Sequence, residues 1–191
     1  MNISFGKKIP ITQTQILNKK TGTFEKATVF ELECTDESDL VETMKPKDKW
    51  IYAKSINQNM LTKYIQLKNG EENDSSFYVL ENKDGETLGM AETKELLNGN
   101  HNLSLFDTKK EKEYKYVGQT LLASISKTLL ERGCRRFSIF DPMPFAFSFY
   151  EKTCGFPNYR NLYFSADINE LNQFIKQTEQ RTQAPIINLE G

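Results

Sequence analysis

Two runs near the start of the chain, PITQTQIL (10–17) and ATVFELEC (27–34), mix β-branched, aromatic and polar residues. They read as strands, and NKKTGTFEK between them supplies the glycine turn of a long hairpin. Thr35 reads as a helix N-cap, with Asp36, Glu37 and Asp39 favouring the positive helix end and Pro46 stopping the helix. In 54–67, Ile56, Met60, Tyr64 and Leu67 recur at helical spacing along one face. After a polar loop over 68–76, the runs FYVLEN and ETLGMAET flank Asp84-Gly85, a second hairpin signal. NLSLFDT (102–108) is another strand, followed by the charged stretch KKEKEYKY (109–116). The cleanest helix spans Gly118 to Arg132, with Leu121, Leu122, Ile125, Leu129 and Leu130 as its apolar face and Gly133 at its exit. RRFSIF (135–140) predicts a short strand. PFAFSFYEKTC (144–154) predicts a short helix, with Pro144 at its first position and Gly155 at its exit. RNLYFSADI (160–168) predicts a strand, NELNQFIKQTEQ (169–180) a polar helix, and RTQAPIINLEG a tail or loose strand.

This order of strands, helix, strand and helix predicts an α/β (α+β) domain with a mixed, mostly antiparallel central sheet flanked by helices. A single domain over 1–178 is expected, with an N-terminal β extension over 1–34 and a tail over 179–191. The glycine fingerprint of a dinucleotide fold, GxGxxG, is absent. The formal net charge of -1 provides no global field for nucleic acid or an anionic membrane. Cys34, Cys134 and Cys154 form no CxxC pair, which argues against a disulfide framework and a structural zinc site and for reduced thiols in the cytoplasm. The lone histidine, His101, sits in NGNHN, which reads as turn chemistry, and no GxSxG elbow accompanies it. No apolar run of signal-peptide length opens the sequence and none has the ~20 residues of a membrane span, so a soluble, cytoplasmic protein without a metal centre is expected.

Two stretches carry candidate chemistry. KYVGQT (115–120) opens the apolar helix. Backbone N–H groups at a helix N-terminus, with the helix dipole, suit a phosphate, and Gly118 removes a Cβ where a pyrophosphate would approach. Lys110, Lys112 and Lys115 add positive charge. In the second stretch Ala146 and Tyr150 stand four apart and share a helical face, with a small residue leaving room beside the tyrosine hydroxyl. Asp107 and Glu92 are carboxylates near strand ends in the same part of the chain.

Taken together, the phosphate turn KYVGQT and the later AFSFYEKTCGF resemble the GCN5-related N-acetyltransferase (GNAT) superfamily, whose turn has the form [QR]xxGx[GA] and whose second element is AxxFYxxxGF. The resemblance covers 77–164. Ala146, Phe149, Tyr150, Gly155 and Phe156 fit the second element, with one residue more between tyrosine and glycine. Lys115 replaces Gln or Arg, Tyr116 stands where glycine is common, Thr120 replaces Gly or Ala, and Met143 replaces a frequent asparagine. The resemblance implies an acetyl-CoA site between two splayed parallel strands, NLSLFDT and RRFSIF. The backbone around Phe106 to Thr108 would pair with the pantetheine arm. Lys115, Tyr116, Val117, Gly118, Gln119 and Thr120 would hold the pyrophosphate, and Ala146 would lie beside the ligand. Tyr150 would protonate the departing thiolate, and Asp107, Glu92 or a water relay would serve as the general base. The implied activity is N-acetylation of a primary amine of a small molecule or peptide by direct attack in a ternary complex. The alternative is a non-catalytic GNAT-fold interaction module. The region 35–67, with Trp50, Tyr52 and Tyr64, would form the acceptor wall, and the leading strand pair would serve a homodimer or substrate selection.

Overall fold

The computed structural model describes residues 8–35, 53–108, 113–160 and 162–189. The helix expected after Thr35, and with it Trp50 and Tyr52, lies outside them.

The first strand, β1 (Lys8–Asn18), turns into β2 (Thr23–Leu32) in an antiparallel hairpin. The Asn18 side chain accepts the Lys20 N–H at 2.9 Å, and Gly22 supplies the left-handed residue (φ 71°) that the turn requires. Next come α1 (Ala53–Lys68), then β3 (Ser75–Asn82) and β4 (Thr87–Glu95). The Asp84-Gly85 hairpin forms as its sequence predicts, with Gly85 at φ 76° and Asn82 Oδ1 accepting the Asp84 and Glu86 N–H groups. Strand β5 (His101–Thr108) is followed by the two-residue β6 (Tyr114–Lys115), α2 (Val117–Glu131) and β7 (Arg136–Phe140). The chain closes with β8 (Asn158–Tyr159), β9 (Tyr163–Asp167), α3 (Ile168–Thr182) and β10 (Ile187–Asn188).

The strands form one sheet in the order β10-β1-β2-β3-β4-β5-β7-β9-β8, with β6 against β1. All pairs are antiparallel except β5 with β7. The N-terminal strand pair extends the sheet directly, because β2 pairs with β3 over 27–32. The expected C-terminal tail is likewise integrated: α3 runs on to Thr182, and β10 pairs with β1 at Thr12 and Gln13.

Alternation along the strands divides the core in two. On one face Tyr78, Leu80 and Ala91 pack with Leu121, Leu122, Ile125 and Leu129 of α2 and Phe174 of α3. On the other, Phe77, Val79 and Met90 pack with Ile56 and Met60 of α1. The apolar stripe of α1 fades along the helix, since Tyr64 is half-buried and Leu67 is exposed. His101 is a half-buried strand residue rather than part of a turn, and burial lowers its pKa below the usual value. All three cysteines are buried free thiols. Among the described residues no helix is long and apolar enough to cross a membrane.

Helix α3 starts on a capping box. Asp167 accepts the Asn169 and Glu170 N–H groups at 2.8 and 3.1 Å, and Glu170 Oε2 accepts the Asp167 N–H at 2.8 Å. Asp167→Ala should cost about 1 kcal/mol in urea unfolding and Asp167→Asn clearly less, since Asn retains the acceptor.

Candidate active site

The central parallel pair sets the site. Strands β5 and β7 are in register only at His101↔Phe137 and Asn102↔Ser138, and beyond that they part. The cause lies on the other side of β5. There Glu92 pairs with Leu105 and Thr93 with Leu103, leaving Ser104 as an extra residue, a bulge. A bulge bends its strand and sharpens its twist. It also reverses the side-chain parity, so that Leu103 joins the α2 core while Leu105, two residues on, packs towards α1. At the fork the Asn102 carboxamide substitutes for the missing ladder, its Oδ1 accepting the Phe140 N–H at 3.3 Å.

Below the fork lies an open groove of about 1190 Å³. Its walls are β5 from Asn102 to Thr108, the first turn of α2 with Lys115 and Tyr116, and the segment from Ile139 to Tyr150, with Thr153 and Arg181 at the rim. Among the described residues the β5 edge facing the groove has no strand partner after Asn102, so its peptide groups are open to the groove.

Phe106 forms the floor. Its ring stacks on Phe149 with centroids 5.9 Å apart, and a Cβ built on Gly118 would lie 3.4 Å from Phe106 Cζ. A Cβ there would meet Phe106 at ordinary contact distance, so Gly118 mainly leaves the helix N-terminus open to the groove. The first bond inside α2 is Thr120 N–H to Tyr116 O at 2.8 Å, so the N–H groups of Val117, Gly118 and Gln119 precede the helical ladder. Tyr116 has φ 73° and ψ 6°, a left-handed conformation. This is why glycine is common at that position in the resembled motif, and an L-residue there costs roughly 1–2 kcal/mol. The Tyr116 ring lies under Lys115 Nζ, 4.9 Å from its centroid.

The second motif does not form the expected α-helical turn. Pro144–Ala146 is a 3₁₀ turn closed by Ala146 N–H to Met143 O at 2.8 Å, and Phe149–Thr153 is a π turn closed by Cys154 N–H to Phe149 O at 3.0 Å. A π turn holds one residue more than an α turn, which accommodates the extra residue between Tyr150 and Gly155. Gly155 itself takes φ 72°. Tyr150 is buried at the groove wall, its ring between Phe149 and Phe164 at 5.3 and 5.5 Å. The cysteine just after this turn is no nucleophile, because burial raises the Cys154 thiol pKa well above its usual value.

The sequence-predicted residues divide. Phe106, Asp107, Thr108, Lys115, Tyr116, Val117, Gly118, Gln119, Ala146 and Tyr150 all line the groove, as does Met143. Thr120 does not: its side chain is fully buried in the first turn of α2, away from the groove. Glu92 does not either. It is fully buried, accepting from Asn59 Nδ2 at 2.7 Å and Ser75 Oγ at 3.0 Å, with its strand neighbour Met90 in the α1 core. The carboxylate joins α1 to the sheet, a structural task invisible in the sequence because its partners lie 33 and 17 residues away. Lys110 and Lys112 lie outside the described residues. Sequence reasoning missed Asn102, Asp141 and Arg181, all groove residues. Asn102 opens a predicted strand, Asp141 follows one and Arg181 follows an unremarkable polar helix, so none carried a signal.

No protein-family model and no curated protein matches the sequence. Solved structures match the fold. An uncharacterised protein of Bacillus halodurans is 12% identical, with a TM-score of 0.56 over 91% of this chain and 99% of that one. The ribosomal-protein-S18-alanine N-acetyltransferase of Escherichia coli is 15% identical, with a TM-score of 0.50 over 74% of this chain and 94% of that one. An acetyltransferase of Streptococcus agalactiae is 14% identical, with a TM-score of 0.50 over 74% and 98%. The chain has the GNAT fold. In that frame the gap between β5 and β7 and the α2 N-terminus are two parts of one groove.

Tyr116→Gly and Tyr116→Ala remove the same ring, but only glycine tolerates φ 73° freely. Tyr116→Gly should therefore be the more stable of the two by about 1 kcal/mol in denaturant titrations.

Proposed function

We propose that this GNAT-fold chain is an acetyl-CoA-dependent N-acetyltransferase that transfers the acetyl group to a primary amine of a small molecule or peptide. The observation that carries this reading is the open groove between β5 and β7, which runs from the fork at Asn102 to the α2 N-terminus. A filled groove would favour the alternative, an interaction module without chemistry. The open one leaves room for a long, partly extended thioester.

The residues present suit that ligand. The free edge of β5 from Leu103 to Thr108 pairs with amide groups of a pantetheine arm, as an added strand would. The leading N–H groups of α2, with Lys115 beside them, receive the pyrophosphate. Ala146 keeps the wall low next to Tyr150.

The amine nitrogen attacks the thioester carbonyl, a tetrahedral centre forms, and its collapse breaks the C–S bond. The sulfur leaves with the electron pair and takes the Tyr150 hydroxyl proton. Asp107, directly or through a water, takes the proton the amine gives up. Glu92 is not used, because its oxygens are occupied away from the groove. Orientation of the two substrates in one groove supplies much of the acceleration, so the Tyr150 hydroxyl adds to turnover without being its sole source. The buried free thiols fit a reducing compartment such as the cytoplasm.

Calorimetric titration with acetyl-CoA, run on the wild type and on Tyr150→Phe, tests the reading. Phenylalanine keeps the ring contacts with Phe149 and Phe164. Both proteins should bind in the micromolar range, and thioester turnover should fall by about 10²–10⁴-fold in the variant. Absence of binding in the wild type would sink the cofactor assignment, and undiminished turnover in the variant would remove Tyr150 from the chemistry.

A further inference from the structure

Beyond the residues that the motifs indicate, one cation stands at the groove rim on an element of its own. Arg181 lies in the last turn of α3 and lines the groove together with Gln119 of the first turn of α2. The two helices are tied there. Gln119 Nε2 donates to Thr178 Oγ1 at 3.4 Å, and Thr178 stands about one turn before Arg181. On its other side Arg181 Nη1 donates to the Thr153 carbonyl at 3.2 Å, at the end of the π turn that carries Tyr150. Through Thr178 and Arg181 the end of α3 thus reaches both the α2 turn and the π turn.

One of its five N–H donors is used in that bond. Among the described residues, no carboxylate pairs with Arg181 or with Lys115, the other groove cation. Surface cations are commonly paired or solvated at little gain. Two cations on different elements, both unpaired and both at the helix N-terminus end of one groove, match an anionic ligand there. Arginine adds a planar fork that fits phosphate oxygens, which lysine lacks.

We propose that Arg181 is a specificity-determining residue that grips the diphosphate of the acyl carrier from the side opposite Lys115, so that the site selects a diphosphate-bearing thioester over a bare pantetheine thioester. This rests on the acetyl-CoA reading of the groove. Its bond to Thr153 continues in the loaded protein, and the remaining donors face the ligand.

The test uses three probes by calorimetry: CoA, dephospho-CoA, which keeps the diphosphate but lacks the 3′-phosphate, and pantetheine, which lacks both. Arg181→Gln should weaken CoA and dephospho-CoA alike by about 10- to 100-fold and leave pantetheine unchanged. Arg181→Lys can still donate to Thr153 and keeps the fold if the glutamine variant does not; it should show a smaller loss with the same pattern. Unchanged CoA affinity in both variants would overturn the proposal. So would a loss that extends to pantetheine, which would make Arg181 a structural tether of the π turn. A loss confined to CoA would move Arg181 to the 3′-phosphate and overturn the diphosphate assignment. A wild type that binds none of the three probes would instead overturn the cofactor reading itself, and this proposal with it.

Discussion

The separation of β5 from β7 after two paired residues is the constraint on which the site depends. Parallel strands buried in a sheet ordinarily satisfy each other's peptide groups along their length, and a buried peptide group left unpaired costs as much as a lost hydrogen bond. Here the cost is contained in two ways. The Asn102 side chain satisfies the Phe140 N–H at the fork, and the rest of the parted edge faces an open groove, where water or a ligand can pair with it. The bulge at Ser104 makes the parting geometric rather than accidental. A strand carrying one extra residue on its β4 side bends, and its free end follows the bend away from β7.

The same opening explains why two distant stretches meet. Phe106, on the freed part of β5, rests between Gly118 of α2 and Phe149 of the π turn. Straightening β5 would remove that ring from both neighbours. The Lys115–Thr120 turn and the tyrosine turn therefore meet on one aromatic residue, which contacts Gly118 on one side and Phe149 on the other. Arg181 closes the arrangement at the rim, where α3 reaches both turns.

Much of this was legible in the sequence wherever the signal was local. The hairpins declared themselves through Gly22 and the Asp84-Gly85 pair, and α2 through a leucine stripe ended by Gly133. The groove-lining residues within a few positions of a motif, Lys115 to Gln119, Ala146 and Tyr150, were marked for the same reason. What depended on register was not legible. Thr120 sits one residue past Gln119, and the helical rotation of about 100° per residue is enough to turn it from the groove into the core. Glu92 looked like a carboxylate at a strand end; only the pairing of β4 with α1 shows its oxygens occupied. The extra residue in FYEKTCG looked like an imperfect match to its motif, whereas the π turn absorbs it without moving Tyr150 from the groove wall. Tyr116 reads as a departure from a glycine position, and the structure retains the left-handed backbone that glycine would have taken.

The two groups proposed to handle protons, Asp107 and Tyr150, approach the groove from opposite faces of the sheet. Asp107 lies opposite Met90, which belongs to the α1 core, whereas Tyr150 belongs to the core shared with α2 and α3. Facing cross-strand residues project to the same side of a sheet, so Asp107 projects towards α1. A thioester laid through the gap between β5 and β7 would present one side of its carbonyl to each face. An amine arriving from the α1 side could surrender its proton there while the thiolate is protonated from the other. In a continuous sheet the two groups would be separated by a layer of paired backbone. The chemistry proposed for this chain is thus a consequence of the place where its sheet fails to close.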